Sequence, residues 1–348
     1  METSDLRSHL LEGRVIPALP LALDANRQWS RQHQRALVRY YFEAGSGGLA
    51  VAVHSTQFEI REPRHALFKP ILQLAAEEAD ALRTKHRRPF ALISGICGRT
   101  PQALDEARTA RGLGYAAGLL SLAAWKGEST DTIIAHCREV SAEIPLVGFY
   151  LQPAVGGCLL PHAFWRKFVE IPNVVAIKMA PFNRYQTIDV VRAVLESGRE
   201  DVALYTGNDD NIIMDLLTPW EFSGRKRFIV GGLLGQFGVW TQKAVELLES
   251  IKKARTQTHP DIGWLARNTA LTDANAAIFD AANGFHGCLP GIHEVLRRQG
   301  LLPTTLCLNP GEVLSPGQAE EISRVSAAYP WLRDDDFVAA RLRGWLEG

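Results

Sequence analysis

The sequence predicts an α/β fold, a (β/α)8 TIM barrel with an additional C-terminal helical region. Two observations predict it. A short β-rich run, a polar or glycine turn and an amphipathic stretch succeed one another eight times before residue 255, and after that the strand pattern stops. Alternating β and α units imply parallel strands, because a parallel connection needs a crossover helix, and eight such units in about 250 residues are the number a barrel requires. A doubly wound open sheet is the alternative, usually with fewer strands and a nucleotide fingerprint near the first turn. Here the early Gly45-Ser-Gly-Gly48 precedes a strand instead of following one.

The eight strand-like runs are Arg14–Leu19, Gly48–Val53, Phe90–Ser94, Ala116–Ser121, Leu146–Tyr150, Val174–Lys178, Val202–Thr206 and Arg227–Val230. Helical stretches between them include Arg31–Glu43, Pro63–Lys85, Pro101–Leu113 and Asp131–Glu143, then Pro161–Glu170, Tyr185–Glu196, Asn208–Leu217 and Thr241–Ala254. Residues 1–255 therefore read as the barrel. Residues 256–348 read as a helical region packed on it, with helices over Asp261–Phe285, Ile292–Arg298, Gln318–Ala328 and Asp334–Leu346.

Composition narrows the function classes. The 348 residues hold 38 Lys+Arg and 38 Asp+Glu, so no net charge draws the chain to nucleic acid or an anionic membrane. Mean hydropathy is −0.06, and no apolar run reaches the roughly 18 residues of a bilayer span. The opening stretch has acidic residues and no apolar signal core, which predicts a cytoplasmic protein without an export signal. The five cysteines, Cys97, Cys137, Cys158, Cys288 and Cys307, are widely spaced without a CxxC pair, so reduced thiols are expected. No HExxH or carboxylate cluster suggests a metal.

In a barrel, chemistry sits at the C-terminal ends of the strands. Lys178 ends one strand run, and alternation puts Ala176 and Lys178 on one face and Val175 and Ile177 on the other. With the two bulky residues toward the helices, Lys178 points into the mouth. Burial there lowers its pKa, and a neutral amine can form a Schiff base with a carbonyl. The alternative is a strand-end lysine that reaches solvent or pairs with an acid. Tyr150 ends the preceding strand, 28 residues earlier, one βα unit away. Its phenol could carry a proton to or from the imine carbon, or its ring could simply be buried. Ser55 and Thr56 come after the second strand; they suit a carboxylate, and equally an ordinary turn.

These residues give the chain a resemblance to the dihydrodipicolinate synthase / N-acetylneuraminate lyase family of class I Schiff-base lyases, over roughly Gly13 to Pro310. The family's Y-N-x-P element resembles Tyr150-Leu-Gln-Pro153, its I-K-E/D element Ile177-Lys178-Met179, and its S/N-G-x-D-D/E element Thr206-Gly-Asn-Asp-Asp210, in the same order and spacing. The resemblance implies Lys178 as the Schiff-base lysine and a 2-oxo acid, such as pyruvate or a keto sugar acid, as the carbonyl partner. It implies a homodimer or homotetramer, and no cofactor beyond the lysine imine. Asp209 and Asp210 then match positions that contact substrate hydroxyls in the sugar-acid lyases; as bare residues they equally suit a helix N-terminus. Gly207 belongs to the same element.

The departures matter as much. The family's G-T-T-G-E is replaced by His54-Ser-Thr-Gln-Phe58, which keeps two hydroxyls and loses both glycines and the glutamate. The arginine after Y-N-x-P is missing from Ala154-Val-Gly-Gly157, and the P-Y-Y element is replaced by Ala123-Ala-Trp125. Dihydrodipicolinate synthesis itself is therefore not expected; an aldolase or dehydratase acting on a different 2-oxo acid is. Trp125 and His54 join the substrate-side candidates, with a hydrogen-bonded strand-end histidine as the alternative for the latter. Gly231, Gly232 and Gly235 are read as a glycine loop after the eighth strand, either a ligand seat or a plain turn. A second class of function stays open, a barrel that keeps a remnant pocket and serves as a small-molecule binding or regulatory protein.

Overall fold

A computed structural model describes residues 2–153 and 156–348. Eight parallel strands form the barrel: β1 (Val15–Pro17), β2 (Gly48–Val51), β3 (Ala91–Ile96), β4 (Ala117–Leu120), β5 (Leu146–Leu151), β6 (Val174–Ala180), β7 (Ala203–Thr206) and, after the short hairpin β8 (Trp220–Phe222) and β9 (Arg225–Arg227), β10 (Gly231–Leu234). They neighbour one another in the order β1-β10-β7-β6-β5-β4-β3-β2, and a parallel bridge between Ala18 and Ala50 joins β1 to β2. This is the (β/α)8 barrel that the βα periodicity predicts.

The eighth strand is a correction. The run Arg227–Val230 was expected to supply it, but Arg225–Arg227 pairs antiparallel with Trp220–Phe222 outside the barrel. The strand is the glycine-rich stretch just beyond, so Gly231 and Gly232 lie inside β10 and not in a loop after it. The packing explains the glycines. A Cβ on Gly231 would stand 2.4 Å from the Arg14 carbonyl oxygen, and one on Gly232 would stand 2.5 Å from the Phe237 ring. Neighbouring elements close in where a side chain would otherwise project.

The barrel helices are α2 (Arg31–Glu43), α3 (Phe68–His86), α4 (Thr100–Gly112), α5 (Thr130–Glu143), α6 (His162–Val169), α7 (Arg184–Ser197), α8 (Ile212–Leu217) and α9 (Thr241–Ala254). Local signals set their ends. Ser129 Oγ accepts the Thr132 N–H at the start of α5, and Asn183 Oδ1 accepts from Tyr185 and Gln186 at the start of α7. Gly198, at φ 75°, ends α7 in the left-handed region.

Before β1 comes α1 (Thr3–Leu11), an element the strand pattern does not announce. Its Leu6 and Leu10, four residues apart and so on one helix face, are fully buried against the barrel lumen. They join a lumen cluster of small residues, Ala50, Ala91, Ala117 and Ala176 among them, which leaves room for the plug. Val175, expected to face the helices, packs with this cluster instead. The register between β5 and β6 slips here, Leu146 pairing with Val174 but Val147 with Ala176. Ile177 faces the helix layer as alternation predicts.

After α9 the chain crosses an exposed link, residues 256–262, into α10 (Gly263–Ile278), α11 (Cys288–Arg298), α12 (Gln318–Ala328), α13 (Asp335–Ala339) and α14 (Leu342–Glu347). Residues of this region share one continuous apolar cluster with the barrel's outer layer: Ile278 and Trp345 belong to it as fully as Leu37 and Phe237. Three hydrogen bonds strap residues 304–308 across the top. Thr304 Oγ1 donates to the Leu23 carbonyl (2.8 Å), Leu308 N–H to Gln57 Oε1 (2.6 Å), and Arg27 to the Cys307 carbonyl. No helix among the described residues is long and apolar enough to cross a membrane.

Candidate active site

A cavity of about 140 Å³ opens at the C-terminal ends of the strands. Its barrel wall includes His54, Ser55, Phe149, Lys178, Gly207 and Asp209; its outer wall includes Phe279, Phe285, His286, Cys288, Ile292 and Glu312 from the tail. The helical region therefore roofs the mouth as well as flanking the barrel.

Lys178 stands at the floor, 9% exposed. Its Nζ lies 4.5 Å from the centroid of the Phe149 ring, its register partner on β5. No carboxylate approaches it within ion-pair distance among the described residues. Burial lowers its pKa to about 8, and the more distant Asp209 partly opposes that shift. Gly207 makes the side chain's position possible: a Cβ there would stand 2.7 Å from Lys178 Cε.

Asp209 lines the same cavity. Its Oδ1 accepts the Gln236 N–H at 3.2 Å, and its backbone carbonyl accepts from Asn275 of α10 at 2.7 Å. Burial pushes its carboxyl up to about 7, against the hydrogen bond from Gln236 and the charge of Lys178. His54 stands exposed at the rim of the mouth, where desolvation by the surrounding protein groups and then the Lys178 charge hold its imidazole below the usual histidine range. Cys288 is kept a thiol by burial and the neighbouring acids, which raise its pKa. Among the described residues no three His, Cys, Asp or Glu side chains converge as metal ligands would.

The structure thus brings Lys178, His54, Ser55, Gly207, Asp209 and Gly235 to one cavity. It turns the other candidates elsewhere. Tyr150 is fully buried on the opposite face of β5; its ring packs on Trp165, 5.4 Å between centroids, and its hydroxyl accepts the Leu160 N–H at 3.3 Å. The residue that alternation aims at Lys178 is Phe149. Thr56 spends its hydroxyl on the Leu19 carbonyl at 2.7 Å, outside the cavity. Asp210 is exposed, with its carbonyl accepting from Thr272, and Gly231 lies in the strand below the mouth. Trp125 stacks on His136 with centroids 4.4 Å apart and donates to the Gly98 carbonyl, away from the cavity. Of the Ala154–Gly157 stretch where the arginine is missing, Ala154 and Val155 lie outside the described residues.

Gln57 resolves one departure. It sits at φ 69°, in the left-handed region that the family's glycine would occupy freely. The Leu308 bond to its side chain helps to hold it there. The residues that the motifs did not single out include Phe149, Phe182 and the tail's Phe279, Phe285, Cys288 and Glu312.

Comparison with known proteins fits this picture. No family model matches the chain. A 4-hydroxy-tetrahydrodipicolinate synthase of Moorella thermoacetica is 24% identical over 210 residues, 59% of this chain and 66% of that protein. The chain spans about three-fifths of the length of the first such synthases it matches. The crystal structure of N-acetylneuraminate lyase from Fusobacterium nucleatum superposes with a TM-score of 0.70 at 14% identity, over 92% of this chain and 99% of that one. A monomeric dihydrodipicolinate synthase variant superposes at 0.73 with 17% identity, over 92% and 98%. The solved structures show that the chain shares their overall fold, and the chain's own strands show that fold to be a (β/α)8 barrel. In sequence the chain is similar, at 24–25% identity, to curated 4-hydroxy-tetrahydrodipicolinate synthases, and in fold it is similar to N-acetylneuraminate lyase and dihydrodipicolinate synthase structures.

Proposed function

We propose that this protein is a lysine-dependent lyase, an aldolase or dehydratase that acts on a 2-oxo acid through a Schiff base. The observation that carries the reading is Lys178, buried at the strand-end mouth of the barrel without an ion-pair partner among the described residues and with its pKa lowered to about 8. A substantial fraction of such a lysine is neutral near pH 7 to 8, and the neutral amine is the nucleophile. Its Nζ attacks the C2 carbonyl, water leaves, and the protonated imine becomes the electron sink for breaking a bond at C3 or C4.

The proton must be carried by a group that reaches the cavity. Tyr150 faces away, and the task falls to Asp209, whose carboxyl at about 7 can both give and take a proton near neutrality. Ser55 supplies a hydroxyl for the substrate carboxylate. No cofactor is needed. The altered loop at His54–Phe58 favours a substrate other than that of the synthases. In solution the protein is expected to be a homodimer or homotetramer located in the cytoplasm.

The test is to incubate the chain with pyruvate and larger 2-oxo acids, reduce with borohydride and weigh it. An adduct on Lys178 supports the mechanism; no adduct from any of them excludes it. Phe149 beside Lys178, where a phenol was expected, favours the second reading, a binding barrel. Ligand-induced thermal stabilisation with neither adduct nor turnover would establish that one instead.

A further inference from the structure

Two aromatic rings meet across the cavity from distant parts of the chain. Phe182, just after β6, and Phe285, in the loop before α11, pack edge to face with centroids 5.8 Å apart, and both line the cavity. Each sits in left-handed backbone, at φ 51° and φ 70°. Bulky residues rarely adopt that region, and such strain persists only where the surroundings enforce it.

The surroundings do enforce it, by two separate buried networks. The Phe182 N–H donates to Asn208 Oδ1 at 3.0 Å. Asn208 Nδ2 is held in turn by Thr187 and by Asp215, which also takes the Thr206 hydroxyl at 2.7 Å. The Phe285 N–H donates to the Asp280 carbonyl at 3.0 Å, and the Asp280 carboxylate is held by Ser315, Asn283 and the Gly287 N–H. Phe149, Leu151, Phe279 and Ile292 continue the same wall.

Resting on the Schiff-base reading of Lys178, we infer that the substrate is a 2-oxo acid whose substituent beyond the reacting carbons is apolar, branched or aromatic, and that Phe182 and Phe285 form its seat. A polyhydroxylated chain fits this wall badly, because each hydroxyl placed on it without a partner loses its hydrogen bonds to water. Besides Lys178, the cavity's polar groups are His54, Ser55 and Asp209 on the barrel side and Gln152, His286 and Glu312 around the rest of the lining, and Asp209 already accepts a protein N–H.

The test compares half-saturating concentrations for borohydride trapping on the full chain, read by intact mass. The probes are pyruvate, 4-methyl-2-oxopentanoate, phenylpyruvate and 2-keto-3-deoxygluconate. The apolar acids should saturate at concentrations about tenfold or more below the sugar acid. Phe285→Gly, which removes the ring at a backbone angle that glycine adopts freely, should shrink that ratio at least about threefold. Equal or tighter trapping of the sugar acid overturns the substrate class while leaving the lysine assignment intact. Failure of every probe, pyruvate included, overturns the lysine assignment and this inference with it.

Discussion

The two ends of the barrel treat charge in opposite ways. At the lower end, Arg7 of α1 and Arg199 converge on Asp201 and on the carbonyls of Pro172 and Val174. The Arg199 hydrogen bond, opposed by burial, holds the Asp201 carboxyl below the usual carboxylate range. At the upper end Lys178 and Asp209 share a cavity without an ion pair, and burial moves each toward its neutral form. The lower cluster steadies the fold; the upper pair keeps its proton affinities near neutrality at a cost to the fold. That division matches the general polarity of (β/α)8 barrels, chemistry above and stability below.

The sharpest break of this comparison is a pair of variants. Lys178→Met should lose the borohydride adduct entirely and raise stability at pH 7 by about 2 kcal/mol, because an uncompensated buried ammonium is replaced by a thioether chain. Because the folded-state pKa of Lys178 lies below its unfolded value of 10.5, the wild-type chain gains stability as pH rises from about 8 toward 10.5. The advantage of Lys178→Met should therefore narrow over that window in urea titrations. Arg7→Ala should do the converse, costing about 2 kcal/mol in the same titrations while the adduct still forms.

A smaller effect sharpens the upper end alone. Asp209 raises the pKa of Lys178 by its charge, so Asp209→Asn should move the midpoint of trapping rate against pH to a lower value than the wild type's, near 8. A midpoint that stays in place would show that the two groups are not coupled. The smallest effect is expected at Gln57→Gly, where relief of the left-handed backbone opposes loss of the Leu308 bond. Thermal and urea unfolding should change by less than about 1 kcal/mol.

Much of this was legible in the sequence, and the failures have physical causes. The βα periodicity gives the barrel. Strand alternation and motif spacing together give Lys178, and the spacing gives Asp209. Spacing alone cannot give Tyr150, because 28 residues reach the neighbouring strand without deciding which face the side chain takes. Phe149 and Tyr150 are equally bulky, so the pattern offers no arbiter, and it is the register Phe149 to Lys178 that settles it. The eighth strand was hidden because Gly231 and Gly232 read as turn residues, although their bareness serves close packing within a strand. The aromatic seat was hidden for another reason. Phe182 and Phe285 lie in loops, where no period relates sequence position to direction.

The tail's role has a consequence for how the molecule is joined. Residues 256–262 are all exposed, whereas the helices beyond them share the main apolar core, and the connection through Thr304, Cys307 and Leu308 is strapped over the mouth. A chain cut in that link should therefore remain a single particle, its two pieces held by burial and three straps, with the roof still over Lys178. The covalent bond there fixes the order of the sequence; the shape of the active site is held by other contacts.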